Sequence, residues 1–325
     1  MKFLRQCLLA TTVATATVLA QSQSQPAPWP SKPIKAIVPF AAGAATDVVA
    51  RLVLEQVSRQ LGQPIIIDNK PGAGTTIGSA AAAHAEPDGY TILVNSNSHT
   101  VTPATYRNLS YDAAKDFSGV IPLASVPMVL VMAPSKGIRT LPELVKMAKA
   151  KPGSMNYASA GAGGATHLGA ERLRIAGGFT GTHIPYKSSS EALTEVMTGR
   201  VDYYFSPIGL ATPFMKTDKL IALAVSSSKR SSALPDVLTT VEAGLPKSEY
   251  DVWIGMFVPS KTPRAIVNRL NEETAKALRS PELREKFNTL VMDPMIMTPV
   301  EFDAFLKRDF ELNAELVKAA GVQPN

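Results

Sequence analysis

The sequence predicts an α/β protein of two lobes, each a mostly parallel sheet flanked by helices. Three observations predict it. The 325 residues, 45% of them apolar, exceed what one small domain usually holds. Short β-branched runs alternate with helical stretches, which is the signature of a parallel α/β sheet. The alternation runs through once, breaks and then starts again.

Ile34 to Val38 reads as the first strand, and Thr46 to Gln60 as a helix with apolar residues at Val48, Val49, Leu52, Val53 and Val57. A strand at Ile65 to Ile67, a small-residue helix at Thr75 to Ala85 and a strand at Tyr90 to Val94 complete the first pass. Met128 to Ala133 is another strand, after which the pattern restarts. Helix Leu141 to Lys149, strand Met155 to Ala158, helix Thr166 to Ala176, a strand near His183 and Ile184, and helix Ser190 to Thr198 follow. Strands at Tyr203 to Phe205 and Ile221 to Val225 end the second pass. Trp253 to Val258 adds one more strand, and helices follow at Pro263 to Arg279, Pro281 to Leu290 and Pro299 to Ala319. With no sheet of their own, those helices are expected to cover the first lobe. The division is therefore 30–126 plus 254–325 for lobe 1 and 127–253 for lobe 2.

Lys2 and Arg5 precede the apolar stretch Cys7 to Ala20, and small residues end it, which reads as a signal peptide over residues 1–20 cleaved near Ala20. The stretch is shorter than the ~20 apolar residues that span a bilayer. An exported, periplasmic protein is expected, and its mature part would carry no cysteine and hence no disulfide. Lys+Arg 33 against Asp+Glu 27 gives +6, scattered without a basic run. That pattern argues against a nucleic-acid partner.

In open parallel sheets ligands sit beyond the carboxyl ends of strands, where loops enter helices. Those loops are small and polar here: Pro39 to Asp47, Asn69 to Thr76, Asn95 to Thr100, Ser159 to His167, Pro185 to Ser190 and Ser206 to Gly209. Each helix start carries about half a positive charge and exposes amides, which suits a carboxylate or phosphate. For any one loop, a tight turn explains the glycines equally well. Several such loops in two matching lobes favour a site. Neither the first loop nor Ser159 to His167 contains Arg or Lys, so an anion there would be held by amides, hydroxyls and water.

These residues carry a resemblance to the Bug, or TctC, family of periplasmic solute receptors of tripartite tricarboxylate transporters. It rests on Val38-Pro39-Phe40 with Gly43 and Asp47, Asn69 to Gly74, Pro87-Asp88-Gly89-Tyr90, Gly161 to Leu168, Pro185-Tyr186-Lys187 and Gly199-Arg200-Val201-Asp202. The resemblance implies a type II periplasmic binding protein fold, the Venus flytrap, closing over a small carboxylate held between two loops. It implies membrane permease subunits as partners. Carried over by position, Phe40, Ala41, Gly43, Ala45, Thr46 and Asp47 form the first pincer, and Gly161, Gly163, Ala165, Thr166 and His167 the second. Ala44, Gly164, Ala165 and Ser188 depart from the common family residues, which leaves Thr166 as the expected hydroxyl donor of the second pincer. Ser96, Asn97, His99 and Ser206 are the candidates for reading the rest of the ligand, a mono- or dicarboxylate or an aromatic acid. Asp47 has two readings, a helix cap or a ligand contact.

No cofactor or metal is expected, because the histidines His84, His99, His167 and His183 show no paired-ligand spacing and the glycine loops lack dinucleotide and P-loop fingerprints. No catalytic residue is assigned, and a monomer is expected. The alternative is a secreted hydrolase of a small carboxylic ester. It is disfavoured because Tyr157-Ala158-Ser159-Ala160-Gly161 puts Tyr where a nucleophile elbow needs glycine.

Overall fold

The computed structural model describes residues 29–324, so the expected signal peptide and Cys7 lie outside the described residues. β1 (Ile34–Val38), α1 (Ala45–Leu61), β2 (Ile65–Asn69), α2 (Thr76–Ala83) and β3 (Thr91–Ser96) follow the predicted alternation. α3 (Ser98–Thr105) and β4 (Phe117–Ser125) come next, and sequence periodicity predicted neither. The second unit holds β5 (Met128–Met132), α4 (Leu141–Ala150), β6 (Met155–Ser159), α5 (Ala165–Gly177), β7 (Gly181–Pro185), α6 (Ser189–Met197), β8 (Tyr203–Pro207), α7 (Ile208–Met215) and β9 (Ile221–Val225). β10 (Trp253–Pro259), α8 (Arg264–Leu278), α9 (Pro281–Thr289), β11 (Asp293–Pro294) and α10 (Pro299–Ala319) complete the described chain.

Two sheets result, ordered β11-β4-β10-β3-β1-β2 and β7-β6-β8-β5-β9. β1 pairs in parallel with β2 and β3, and β6 with β7 and β8. The strands that arrive from the other sheet are antiparallel. β10 enters with Ile254 beside Ser96, at the carboxyl end of β3, and β5 enters with Met128 beside Pro207, at the carboxyl end of β8. A chain that crosses over at the carboxyl ends of its neighbours has to run back against them. The two crossings lie side by side, the Val126 amide donating to the Val252 carbonyl at 2.7 Å. They place the carboxyl ends of both sheets around one space.

Each sheet is covered on both faces. Val49, Val53 and Val57 of α1 and Leu270 of α8 bury one face of the first sheet, and Ala82 and Phe302 lie against the other. Leu144 and Leu168 cover one face of the second sheet, and Leu193 and Ile208 the other. α1 owes its limits to a left-handed Gly62 cap, and α10 to a capping box between Thr298 and Glu301. α8 and α9 pack on the first core through Leu270 and Phe287, whereas α10 departs from the expected covering of the first lobe by reaching past it. α10 begins on the first core with Phe302 and Leu306, and ends in the second with Leu316 and Val317. At 21 residues it is long enough, roughly 30 Å, to reach both.

Candidate functional site

The two loops at the heart of the site are built alike. Gly43-Ala44-Ala45-Thr46-Asp47 leads into α1, and Gly163-Gly164-Ala165-Thr166-His167 into α5. Both glycines have a positive φ, 84° and 74°, which is the conformation that favours glycine. Ala44 and Gly164 are the N-caps, and neither supplies a side-chain cap. In each loop the side chain four residues on reaches back to the glycine amide. Asp47 Oδ2 accepts from Gly43 N–H at 2.8 Å, and His167 Nδ1 accepts from Gly163 N–H at 3.0 Å. The first free amides of each helix are thereby left pointing outward. Among the described residues those of Ala45, Thr46 and Asp47 in α1, and of Ala165 and Thr166 in α5, have no acceptor.

Asp47 and His167 thus shape the loops from behind. Asp47 is almost wholly buried and also accepts from Arg51 Nε and Asn69 Nδ2, each at 2.9 Å. Burial pushes its carboxyl up, but the hydrogen bonds from Arg51, Gly43 and Asn69 outweigh this and hold it below the usual carboxylate range. In this structure Ala44, not Asp47, is the N-cap of α1, and the Asp47 side chain lies behind the loop, outside the lining of the cavity. His167 is stacked on His183 with ring centroids 3.6 Å apart. Burial, with the neighbouring His183, holds its pKa down at about 4, so it is neutral near pH 7 and Nδ1 is free to accept. His183 Nε2 in turn lies 2.6 Å from Ser159 Oγ, which accepts from the Gly161 amide.

Ala45, Thr46, Ser96, Asn97, Gly163 and Ala165 come together around a cavity of about 240 Å³. Phe40, Ala41, Gly43 and Gly161 remain in the two loops but outside the lining. Three other candidates face elsewhere. Thr166 turns its hydroxyl oxygen back to accept from the Ala160 amide at 3.0 Å, which ties the side chain to the loop and leaves its O–H as a donor. Its counterpart Thr46 lines the cavity, and its hydroxyl has no partner among the described residues. Ser206 is fully buried and donates to the Pro207 carbonyl. His99 is turned into the first lobe, stacked on Phe257 at 4.2 Å. The loop that held both Asn97 and His99 is the start of a helix, and helical geometry sends successive side chains in different directions.

Sequence reasoning missed part of the lining. Val126, Val252, Trp253 and Ile254 contribute from the two crossings, and Val101 from α3. An adjoining cavity of about 230 Å³ shares Ser98, Val101, Gly163 and Gly164 and is also lined by Tyr106 and Val322. Val322 could not be placed by local pattern, because only the long reach of α10 brings it there. Asn97 is held by Nδ2 donating to Tyr250 Oη at 3.2 Å, which donates to Asn313 Oδ1 at 3.2 Å. The Asn97 amide also donates to the Trp253 carbonyl at 3.0 Å. The resulting chamber has amides on two opposed sides, hydroxyls from Thr46 and Ser98, apolar crossings behind, and no charged side chain in the lining of its first cavity. Such a lining suits the oxygens of an anion approached end-on.

A family model described as the tripartite tricarboxylate transporter family receptor matches residues 49–322. The chain belongs to the TctC family. Its relatives include the protein BugT of Bordetella pertussis, 32% identical over 313 residues that make up 96% of this chain and 95% of that one. Among solved structures, a TctC solute-binding protein from Polaromonas, without ligand, has a TM-score of 0.81 at 27% identity, covering 89% of this chain and 99% of that one. An R. palustris protein solved with adipate has a TM-score of 0.71 at 30% identity, covering 91% of this chain and 100% of that one. MatC from Rhodopseudomonas palustris, solved with bound malate, has a TM-score of 0.67 at 31% identity, covering 89% and 99%. This TctC protein is a periplasmic solute-binding protein of the two-lobed type II fold.

Proposed function

We propose that this TctC protein captures a small dicarboxylate between its α1 and α5 loops, one carboxylate meeting helix-start amides, and presents it to the membrane subunits of a tripartite transporter. The observation that carries the reading is the matched pair of loops, each with its glycine amide occupied from behind and its first helical amides unpaired, on one cavity. Adipate and malate on two relatives support a dicarboxylate. An uncapped helix start favours an anion by about 0.3–1 kcal/mol, so two of them with Thr46 and Ser98 give reversible capture. Closure of the lobes around the crossings at Val126 and Val252 would bring both loops to the ligand.

The test is a thermal-shift panel of aliphatic dicarboxylates, monocarboxylates and neutral sugars, followed by calorimetric titration of any acid that raises the melting temperature. Gly163→Asp puts a side chain at φ 74° and a negative charge at the second loop. It should remove binding of the best acid while the folded signal persists. A sugar that shifts the wild type when no acid does, or undiminished acid binding in Gly163→Asp, refutes the proposal. The hydrolase reading has one observation in its favour, the Ser159 and His183 pair. Ser159 is fully buried, however, and a serine without access to the cavity is no nucleophile.

A further inference from the structure

We propose that His183, on the edge strand β7 and in the lining of neither cavity, is a positioning residue for ligand capture that holds both ends of the Ser159 to His167 loop at once. The proposal rests on the reading of that loop as the second pincer. Gly161-Ala162-Gly163-Gly164 carries no side chain larger than a methyl, and Gly161 and Gly163 have φ of 128° and 74°, so the segment is permissive and has little packing of its own. Its shape has to be imposed from outside. β7 pairs in parallel with β6, which sets His183 beside Tyr157, and alternate residues of a strand share a face, so Ser159 stands on that face as well.

His183 acts on the two ends differently. Its Nε2 lies 2.6 Å from Ser159 Oγ, a hydrogen bond whichever of the two carries the proton. Ser159 Oγ accepts from the Gly161 amide at 3.2 Å and lies 3.0 Å from the Gly161 carbonyl, which fixes the loop where it leaves β6. The face of the ring holds the other end. It lies on His167 with centroids 3.6 Å and planes 8° apart. A backbone N–H only donates, so the 3.0 Å bond from Gly163 needs the lone pair of His167 Nδ1 aimed at that amide. The torsion that aims it is a soft one, and a ring lying flat against the imidazole restricts it. The first lobe has the same arrangement in other chemistry: Asn69, on the strand beside β1, donates through Nδ2 to the Phe40 carbonyl at 3.0 Å and to Asp47 Oδ1 at 2.9 Å. In both lobes a residue on the neighbouring strand clamps the start and the end of the pincer loop.

The experiment measures amide proton exchange at Gly43, Gly161 and Gly163 by NMR, and titrates the same proteins calorimetrically with adipate and with malate. Ser159→Ala removes the hydroxyl and keeps the stack, so exchange at Gly161 should quicken about tenfold, as loss of one hydrogen bond implies, while Gly163 stays as in wild type. His183→Gln keeps a polar atom within reach of Ser159 and removes the ring, and should give the reverse pattern. His183→Ala should quicken both and weaken, by about tenfold, whichever of the two acids the wild type binds. Gly43, in the other lobe, should be unchanged in all three variants, which a general loss of stability would not give. The proposal is overturned if His183→Ala leaves Gly161 and Gly163 exchanging as in wild type, if it quickens both without weakening the acid, or if Gly43 quickens alongside them. Wild type that binds neither acid defeats the capture reading alone, because the exchange pattern needs no ligand and still decides whether His183 holds the loop. Should His183→Ala not fold, Ser159→Ala and His183→Gln decide the matter between them.

Discussion

Asp309 offers the sharpest test of how the two lobes are joined. It sits on α10 with Oδ2 accepting from Thr100 Oγ1 at 2.6 Å, Trp253 Nε1 at 3.0 Å and Asn313 Nδ2 at 3.1 Å. Burial pushes its pKa up to about 6 despite those bonds, and the nearby Asp251 adds to the rise. Moving a carboxyl from its ordinary value near 4 to about 6 corresponds to about 3 kcal/mol. The folded-state value is raised, so the folded chain holds this proton where the unfolded chain has released it. The associated stability is complete below about 3.8 and is lost as the pH rises through about 6. Asp309→Asn keeps an oxygen acceptor and removes the titration. Relative to wild type, the variant should therefore gain up to about 3 kcal/mol between pH 4 and pH 7.5, roughly 5 °C or more in melting temperature. Denaturant midpoints and melting temperatures measured for both proteins across that range read the difference directly. A difference that stays flat with pH, or that moves in the wild type's favour as pH rises, refutes the account of Asp309 as a costly buried carboxylate.

The loop supports give two further tests. Asp47→Ala leaves the Gly43 amide and Arg51 Nε without their acceptor and Asn69 Nδ2 with only the Phe40 carbonyl, which should cost about 2–4 kcal/mol and weaken binding of the cleft acid; unchanged calorimetric affinity would detach Asp47 from the first pincer. His167→Asn keeps an acceptor for Gly163 but does not titrate. The His167 pKa is lowered from 6.5 to about 4, so its stability is complete above 6.5 and is lost as pH falls through about 4. The variant should be less acid-sensitive in that window by up to about 3 kcal/mol, and equal pH profiles for the two proteins would contradict a neutral, buried His167.

Short strands bounded by β-branched residues and free of Gly and Pro were legible in the sequence, and Ile34 to Val38 and Ile221 to Val225 fall where expected. β4 was not, because Gly119 and Pro122 interrupt it. The sheet absorbs them by shifting register against β10 twice, just before the pair Gly255 and Pro122 and again between the pairs Met256–Ile121 and Phe257–Gly119. α3 was hidden for a different reason. Its sequence, Ser98-His99-Thr100-Val101-Thr102-Pro103-Ala104-Thr105, has poor intrinsic helix propensity, and tertiary contacts such as Thr100 with Asp309 hold it. Reading that stretch as a loop is what put His99 beside Asn97 in the cleft. α7 carries Pro213 and was missed by the same route. The loops at α1 and α5 were legible because glycine, small residues and a following apolar helix are local features.

The same comparison explains why residue type misleads at the site while position does not. Asp47 and His167 occupy matching places and do one job, accepting from a glycine four residues back, yet one is an anion beside Arg51 and the other a neutral ring stacked on His183. Any acceptor of the right reach serves, so the chemistry of the side chain says little about the ligand. What the two loops share is backbone: a left-handed glycine, an uncapped start and free amides. On the proposed dicarboxylate reading, a ligand held by backbone on both sides would be selected for its oxygens, and selection among acids would pass to what lies between the loops. Those groups are Thr46, Ser98, Asn97 and the apolar crossings. Asn97 is the one whose orientation is fixed from a distance, through Tyr250 to Asn313 on the helix that spans both cores. Discrimination between one acid and another should therefore respond to Tyr250 and Asn313 as well as to the groups lining the cleft.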